Sequence, residues 1–278
     1  MVDHVGVELA LAGGLEPLDV LGEGEAPFRR AFFGVFGYEL DPTDLPARVA
    51  DGQVNHAGSA PGDLSAEQME FVADLADRYS FGELRVSHEQ NLVLTDVRVS
   101  DLPELHRALK TEHLATPYTG LLNDMISCPG GDYCSLANAK SIPVAESIQR
   151  RFDDYARLKH IGPMTLNISG CMNACGHHHV GHIGILGVDK NGEEWYQVEI
   201  GGNQSPASLG KVIGPSVSRE QVPHVIERLL ECYLAHRDSE AERFVDVVHR
   251  IGVEPFKEHV YGEPHQGPAH RRRQPVAA

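Results

Sequence analysis

Long apolar runs and basic residues are the two features that this sequence lacks. No stretch approaches the roughly 20 consecutive apolar residues that a membrane-spanning helix requires, so no such helix is predicted. Lys and Arg total 24 against 40 Asp and Glu, which gives a formal net charge of −16. Because nucleic acids and anionic membrane surfaces call for a basic face, this balance argues against unspecific binding to either.

A secretory leader and an abundance of cysteine are also missing. The N-terminus, residues 1–4, lacks the basic start of a signal peptide, and acidic residues interrupt the following Leu/Ala/Gly stretch. These features predict a cytoplasmic protein. Cysteine occurs only five times in 278 residues. Because cytoplasmic thiols stay reduced, regularly spaced cysteines there indicate a metal site rather than disulfides.

The first part of the chain divides into a segment without a clear pattern and a short α+β unit. Residues 1–55 show no sustained period, although the apolar patch 31–36 is compatible with a buried strand. Apolar residues then recur at helical spacing over 66–80, two short strands are predicted around a turn at 88–91, and a second helix follows from residue 101. Such a helix–strand–strand–helix unit leaves a sheet face uncovered, so we expect it to pair with a second copy or another domain.

The second part of the chain predicts a mixed or antiparallel sheet with helices. A long amphipathic helix is predicted over about 136–158, followed by a strand at 164–168. A β-hairpin is predicted from 182 to 200, with the Asn-Gly pair at 191–192 as its turn. Two helices, at 219–236 and 239–251, close the domain, and residues 257–278 are predicted to be a disordered tail.

Four of the five cysteines form two spaced pairs. Cys128 and Cys134 stand in a C-x5-C spacing and Cys171 and Cys175 in a C-x3-C spacing, with 36 residues between the pairs. Four thiolates are the full set of protein ligands for one [4Fe–4S] cluster. Glycines around both pairs allow backbone N–H groups to approach a negatively charged cluster, and a predicted helix start at the first pair favours the same charge.

Two other interpretations fit the four spaced cysteines less well. A structural zinc site usually has C-x2–4-C pairs, so the C-x5-C spacing fits zinc poorly. Unligated buried cysteines fit less well still. The fifth cysteine, Cys232, lies within an amphipathic helical pattern and is predicted to be part of the hydrophobic core.

Residues 169–176, Ser-Gly-Cys-Met-Asn-Ala-Cys-Gly, resemble the sirohaem/[4Fe–4S] signature of the sulfite and nitrite reductases. The upstream cysteine pair and the run Glu-Ile-Gly-Gly-Asn at 199–203 match that family in order and spacing. From about 62 to 256 the chain is similar to the C-terminal half of the family's haemoprotein, especially its bacterial ferredoxin-dependent branch. The resemblance implies an α+β fold, with a ferredoxin-like half-domain (56–115) followed by the [4Fe–4S] and sirohaem domain (116–256).

The resemblance also implies roles for individual residues. The four paired cysteines would bind the cluster, and Cys175 would in addition bridge to the sirohaem iron. Asn173 and the Gly176 backbone would lie against the macrocycle, and Asn203 would line the cofactor bed.

A run of histidines follows the last paired cysteine. Adjacent histidines on an extended chain point to opposite sides and rarely share one ion, so a packing or hydrogen-bonding role is predicted for this run. The functional alternative is that one of them faces the distal side or the carboxylates of the haem. His177 is then the catalytic candidate, because it directly follows Cys175 and Gly176. His182 stands where the family's usual signature has an acidic residue, which leaves the cluster ligands undisturbed.

The function implied by the resemblance is sirohaem- and [4Fe–4S]-dependent reduction of sulfite to sulfide or of nitrite to ammonia. The electron donor would be a ferredoxin-like protein or a flavoprotein. In the family, most Arg and Lys side chains that bind the anionic substrate come from an N-terminal half that residues 1–55 do not resemble, so a chain supplying that half is an expected partner. The alternative is a non-catalytic iron–sulfur electron-transfer protein, or a truncated remnant lacking sirohaem.

Overall fold

The structure is a computed structural model that describes residues 64–98, 101–112, 114–115 and 118–262. The predictions for residues 1–55, including the strand at 31–36, lie outside the described residues. Among the described residues, no helix combines the length and the apolar character that crossing a membrane requires.

The predicted helix–strand–strand–helix unit is confirmed at the start of the described chain. It consists of α1 (Ala66–Tyr79), β1 (Leu84–Val86), β2 (Leu92–Leu94) and α2 (Leu102–Thr111). The two strands pair antiparallel. Helix α1 begins at a capping box, in which the Ser65 hydroxyl accepts from the Gln68 N–H at 3.2 Å and the Gln68 side chain accepts from the Ser65 N–H at 3.0 Å. Apolar side chains of both helices and β2 form a separate small core.

A five-stranded mixed sheet forms the centre of the rest of the chain. Its strands are β3 (Ile126–Ser127), β4 (Leu166–Ser169), β5 (Ile183–Lys190), β6 (Glu193–Ile200) and β7 (Lys211–Val212), in that spatial order. The β3–β4 and β4–β5 pairs are parallel, and the remaining pairs are antiparallel. The predicted hairpin is β5–β6, and its turn residues Asn191 and Gly192 both have positive φ, as a two-residue hairpin turn requires.

Helices pack onto this sheet and enclose the larger core. They are α3 (Gly130–Tyr133), α4 (Ile142–Arg151), α5 (Tyr155–Ile161), α6 (Val222–His236), α7 (Phe244–Ile251) and α8 (Glu254–Tyr261). The rings of Tyr233, Phe244 and Phe256 make successive edge-to-face contacts that join α6, α7 and α8. Cys232 is 1% exposed within this core, as predicted.

The long helix predicted over 136–158 is wrong, because the chain forms α4 and α5 instead. Asp154 ends the continuous pattern by capping α5, where its carboxylate accepts from the Arg157 N–H at 3.1 Å. The neighbouring Asp153 accepts a hydrogen bond from the Tyr118 hydroxyl. Two successive aspartates with these partners favour a break over a continuous helix.

The predicted start of the tail is also corrected. Helix α8 covers 254–261, beyond the predicted tail start at 257, and Val260 is buried in the larger core. The residues beyond 262 lie outside the described part of the chain.

One side chain connects the small unit to the sheet. The Gln90 carboxamide oxygen accepts from the Ser127 N–H at 2.9 Å, and its NH₂ group donates to the Ser127 carbonyl at 3.1 Å. Gln90 itself has a φ of +65°, an unusual conformation for a residue other than glycine. The two bonds hold this turn against β3, one residue before Cys128.

Candidate metal centre

The first cysteine pair encloses a single helical turn. Cys128 directly follows β3, and its N–H donates to the Ile168 carbonyl at 3.1 Å. Cys134 ends α3, where its N–H donates to the Gly130 carbonyl at 2.9 Å. The predicted helix at this pair is therefore only four residues long, and the next one begins at Ile142. Because a macrodipole is a sum over aligned peptide units, individual N–H groups matter more here than a helix dipole.

The second cysteine pair lies on a tight turn after β4. The Ala174 N–H donates to the Cys171 carbonyl at 3.1 Å, and Ala174 has a φ of +55°. The Ser169 hydroxyl accepts from the Gly176 N–H at 3.1 Å. Together these bonds fix the turn that presents Cys175.

A direct contact joins the two pairs. The Gly170 N–H donates to Sγ of Cys128 at 3.1 Å, while the Gly170 carbonyl accepts from Asn138 N–H at 2.9 Å and Ala139 N–H at 3.0 Å. Because β3 and β4 are parallel neighbours, their carboxyl ends lie at the same edge of the sheet. Cysteines that follow these strands are brought to that one edge, although 36 residues separate the pairs in sequence.

Two glycines make this close approach possible. A Cβ on Gly176 would lie 2.0 Å from the Ile168 carbonyl oxygen, a distance that real Cβ atoms do not show. A Cβ on Gly170 would lie 2.7 Å from the Ala139 carbonyl oxygen and 2.9 Å from Cα of Gly130. The backbone at both positions therefore packs directly on backbone. Four thiols on such turns, with N–H groups at hand, fit a [4Fe–4S] cluster.

One residue of this site carries no signal in the sequence pattern. Ser141 is fully buried, and its Oγ lies 3.4 Å from Sγ of Cys128. It stands 13 positions after that cysteine and belongs to no spacing pattern. The convergence of the loop before α4 with the cysteine edge brings it there.

The cysteines differ in their exposure to solvent. Cys128 and Cys171 are buried, Cys134 is half-buried and Cys175 is exposed. Large apolar side chains near the cysteines in sequence are also exposed, with Met172 at 82%. The site is thus enclosed on the Cys128 side and open at Cys175.

The spacing of the ligand atoms bears on the zinc interpretation. With Zn–S bonds near 2.3 Å, the sulfur atoms of a tetrahedral site lie about 3.8 Å apart. Among the described residues, His178, His179 and Glu199 are the three ligand-type side chains whose donor atoms all lie within 4.8 Å of one another. The cysteines form no such group. The arrangement favours the larger cluster over zinc.

The structure places the predicted contact residues on two neighbouring segments. Asn173 and His177 are exposed, Gly176 is buried, and Asn203 is 7% exposed with its NH₂ group donating to the Ser205 carbonyl at 3.0 Å. The loop carrying Asn203 packs on the histidine turn, since the Gly210 N–H donates to the His179 carbonyl at 2.8 Å. The two motifs that were far apart in sequence therefore lie side by side.

The extended chain predicted for the histidine run is wrong. His177 has a φ of +52°, and residues His178–Val180 form a 3₁₀ turn. The turn brings the His178 and His179 rings to a centroid distance of 3.8 Å instead of pointing them apart. Burial lowers the pKa of His178 to about 4, and burial raises the pKa of the adjacent Glu199 carboxyl.

Comparisons with known proteins agree with the resemblance. Residues 120–267 match the family described as "Nitrite and sulphite reductase 4Fe-4S domain", and residues 56–111 match "Nitrite/Sulfite reductase ferredoxin-like half domain". The ferredoxin–nitrite reductase of Synechococcus elongatus is 32% identical over 178 residues, which are 61% of this chain and 34% of the relative. A protein of Mycolicibacterium paratuberculosis named sulfite reductase (ferredoxin) 2 is 30% identical over 211 residues, which are 71% of this chain and 37% of the relative.

Solved structures support the same fold. The Mycobacterium tuberculosis NirA protein aligns with a TM-score of 0.60 and 28% identity, over 72% of this chain and 38% of that one. A dissimilatory sulfite reductase I aligns with a TM-score of 0.63 over 79% of this chain and 72% of that one, at 14% identity, which shows the fold alone. The chain spans about a third of the length of the curated relatives named above.

Family membership carries implications for the site. It implies a [4Fe–4S] cluster coupled to sirohaem. The four cysteines at the sheet edge, including the exposed Cys175, lie within the segment that matches the 4Fe-4S domain. This chain belongs to the nitrite and sulphite reductase family, and it contains the family's 4Fe-4S domain together with its ferredoxin-like half domain.

Proposed function

We propose that Cys128, Cys134, Cys171 and Cys175 would hold a [4Fe–4S] cluster, and that this cluster and a sirohaem would supply the redox chemistry for reduction of sulfite or nitrite. The observation that carries the proposal is the hydrogen bond from Gly170 N–H to Sγ of Cys128. It unites the two cysteine pairs at one edge of the sheet.

The residues around the proposed cluster hold it and set its electrostatics. When bound, the cluster supplies one electron at a time. The Gly170 N–H donates to the Cys128 sulfur, and the Ser141 hydroxyl is positioned to do the same. Because hydrogen bonds to ligand sulfur neutralise part of its negative charge, both groups stabilise the reduced cluster. Burial of Cys128 and Cys171 excludes water from the inner side.

The open side of the site suits a second cofactor. Cys175 is the exposed member of the set, so its sulfur is accessible to a neighbouring group, which we propose to be the sirohaem iron. Asn173, Gly176 and Asn203 lie on the two segments that adjoin this side and would form the bed of the macrocycle. His177, exposed and next to Gly176, would donate hydrogen bonds there.

Substrate binding and electron donation need residues beyond the matched region. The relatives are about three times as long as the matched region, and the chain's net charge of −16 supplies no surplus of cations for an anionic substrate. We propose that the Arg and Lys side chains that bind sulfite or nitrite lie in an N-terminal half, in the same or another chain. A ferredoxin is the proposed donor, since both curated relatives are named for ferredoxin, and the cytoplasm is the proposed compartment.

Anaerobic reconstitution with iron and sulfide tests the ligand set. We expect four iron and four sulfide per chain, and a sharp loss of both when any one of the four paired cysteines is replaced by Ser. The matched control is Cys232→Ser, because this cysteine is buried in the core away from the cysteine edge. An equal loss of cluster in that variant would mean that the ligands are assigned wrongly.

Optical absorption tests the role of the second cofactor. After incubation with sirohaem, the cluster-loaded chain should show a Soret band that is lost in Cys175→Ser. A broad cluster absorption without any Soret band would instead identify an iron–sulfur electron-transfer protein.

A further inference from the structure

Three ligand-type side chains from two elements converge just after the last paired cysteine. His178 and His179 lie on the 3₁₀ turn, and Glu199 lies near the end of β6. Oε1 of Glu199 is 3.1 Å from Nδ1 of His179 and 3.7 Å from Nε2 of His178. One donor atom from each residue lies within 4.8 Å of the other two.

His178 is the member that packing does not explain. The side chain is completely buried, and neither ring nitrogen has a hydrogen-bond partner among the described residues. Buried polar atoms are nearly always paired, because the hydration lost on burial must be replaced. A ring that served only to fill space would not need two nitrogens at this position.

Glu199 packs closely against two glycines. A Cβ on Gly184 would lie 2.8 Å from Cγ of Glu199, and a Cβ on Gly210 would lie 3.2 Å from the same atom. The carboxylate side chain is 8% exposed and has no Arg or Lys partner in the described structure. It is therefore a buried carboxylate whose neighbours are two imidazoles.

From these contacts we propose that His178, His179 and Glu199 form a binding site for one divalent transition-metal ion, separate from the cysteines. Two imidazoles with one carboxylate are a known ligand set for zinc and for non-haem iron. Metal–ligand bonds of about 2.0–2.2 Å place tetrahedral nitrogen and oxygen donors about 3.3 Å apart. Oε1 of Glu199 is 3.1 Å from Nδ1 of His179 and 3.7 Å from Nε2 of His178, and these two distances lie on either side of that value.

The proposed site is open to solvent, and a bound ion would connect two elements of the fold. The His179 side chain is 49% exposed, so an ion can reach the ligands from that side. The ion would give Nε2 of His178 the partner that it lacks. It would also connect the turn after Cys175 to β6. The inference does not depend on the proposed function, because none of its ligands is a cysteine.

Zinc titration of the purified chain, followed by dialysis and elemental analysis, tests the proposal. We expect one zinc ion per chain. Its affinity should fall at least about tenfold in His179→Ala and in Glu199→Gln, since loss of even an outer-shell partner costs about 10–100-fold. His179→Ala is the safer variant for folding, because its side chain is half-exposed. The matched control is His177→Asn, in which Asn tolerates the positive φ and the three ligands remain; its zinc binding should be unchanged.

X-ray absorption at the zinc edge locates the bound ion. Nitrogen and oxygen neighbours at about 2.0–2.2 Å are expected, whereas zinc on the cysteines would show sulfur near 2.3 Å. A sulfur shell, the absence of bound zinc, or equal affinity in His179→Ala would overturn the proposal. Iron and sulfide are measured in the same samples, so failure of the cluster assignment is seen separately.

Discussion

The backbone N–H of Gly170 donates a hydrogen bond to Sγ of Cys128 across 3.1 Å. Gly170 directly precedes Cys171, so this bond sets the position of the second cysteine pair relative to the first. A thiolate that accepts a hydrogen bond carries less negative charge, which favours the reduced state of an attached cluster. The same contact therefore positions the two cysteine pairs and raises the reduction potential of an attached cluster.

Replacing Ser141 by Ala should lower the reduction potential of the bound cluster. The Ser141 hydroxyl is 3.4 Å from Sγ of Cys128 and becomes a donor to it once the sulfur is a thiolate. Removing the hydroxyl leaves more charge on the sulfur and disfavours reduction. The potential is measured by a redox titration monitored by electron paramagnetic resonance. Ser147→Ala is the control, because that hydroxyl donates to the Val144 carbonyl at 2.7 Å. An unchanged potential in Ser141→Ala would contradict the assignment.

Replacing Gly176 by Ala should destabilise the fold around the second cysteine pair. The new Cβ would lie 2.0 Å from the Ile168 carbonyl oxygen, and backbone cannot yield as a side chain can. We expect a loss of about 1–3 kcal/mol or more in the free energy of unfolding, with lower cluster content. In the control Gly131→Ala, the nearest atoms to the Cβ are a flexible Lys140 carbon at 3.4 Å and the Ala139 carbonyl group at 3.5 Å, which are ordinary van der Waals distances. Urea unfolding and iron content measure both effects, and similar results for the two variants would be inconsistent with this packing.

Replacing Gln90 by Ala should loosen β3 beside the cluster. The substitution removes both hydrogen bonds to the Ser127 backbone, at a cost of about 1–3 kcal/mol for the two. Amide hydrogen exchange at Ser127 should become faster. His88→Ala, an exposed change in the same turn, is the control and should leave that exchange rate as it is. Unaltered protection of Ser127 in Gln90→Ala would show that the contact contributes little.

The stability of the protein should rise with pH between about 4 and 6.5. Burial lowers the pKa of His182 to about 4, whereas an unfolded histidine titrates near 6.5. Between these values the unfolded state binds more protons, so raising the pH favours the folded state. The Thr165 N–H donates to Nδ1 of His182 at 3.3 Å, a bond that requires an unprotonated nitrogen. The difference between the two pKa values corresponds to a contribution of roughly 3 kcal/mol.

The role of His182 is tested by comparing how steeply stability depends on pH in two proteins. Urea midpoints are measured from pH 4 to pH 7 for the native chain and for His182→Gln. The variant cannot gain a proton in this window, so its stability should depend less steeply on pH. Parallel curves for the two proteins would show that another group is responsible.

The short-range patterns of the sequence were sufficient for much of the fold. The capping box at Ser65, the Asn191–Gly192 turn and the spacing of the cysteines are local signals, and each corresponds to a feature of the structure or of the matched family. The predicted helix over 136–158 was wrong because a helical period does not register a capping aspartate such as Asp154.

Contacts between distant segments could not be predicted in this way. Ser141 reaches the cysteine edge only because its loop packs against Gly170. The convergence of His178 with Glu199 depends on the left-handed backbone of His177, which no spacing rule indicates. Both are tertiary results of how the loops close over the sheet.

The pairing of Gln90 with Ser127 has a consequence for one open edge of the five-stranded sheet. Strand β3 is one of the two outer strands of the five-stranded sheet, and an open strand edge is a template on which another chain can add a strand. The Cys128 N–H bonds inward to β4, while the Gln90 carboxamide occupies the outward-facing N–H and C=O of Ser127. A single amide side chain thus takes the place of a neighbouring strand and closes the sheet edge that adjoins the cysteines.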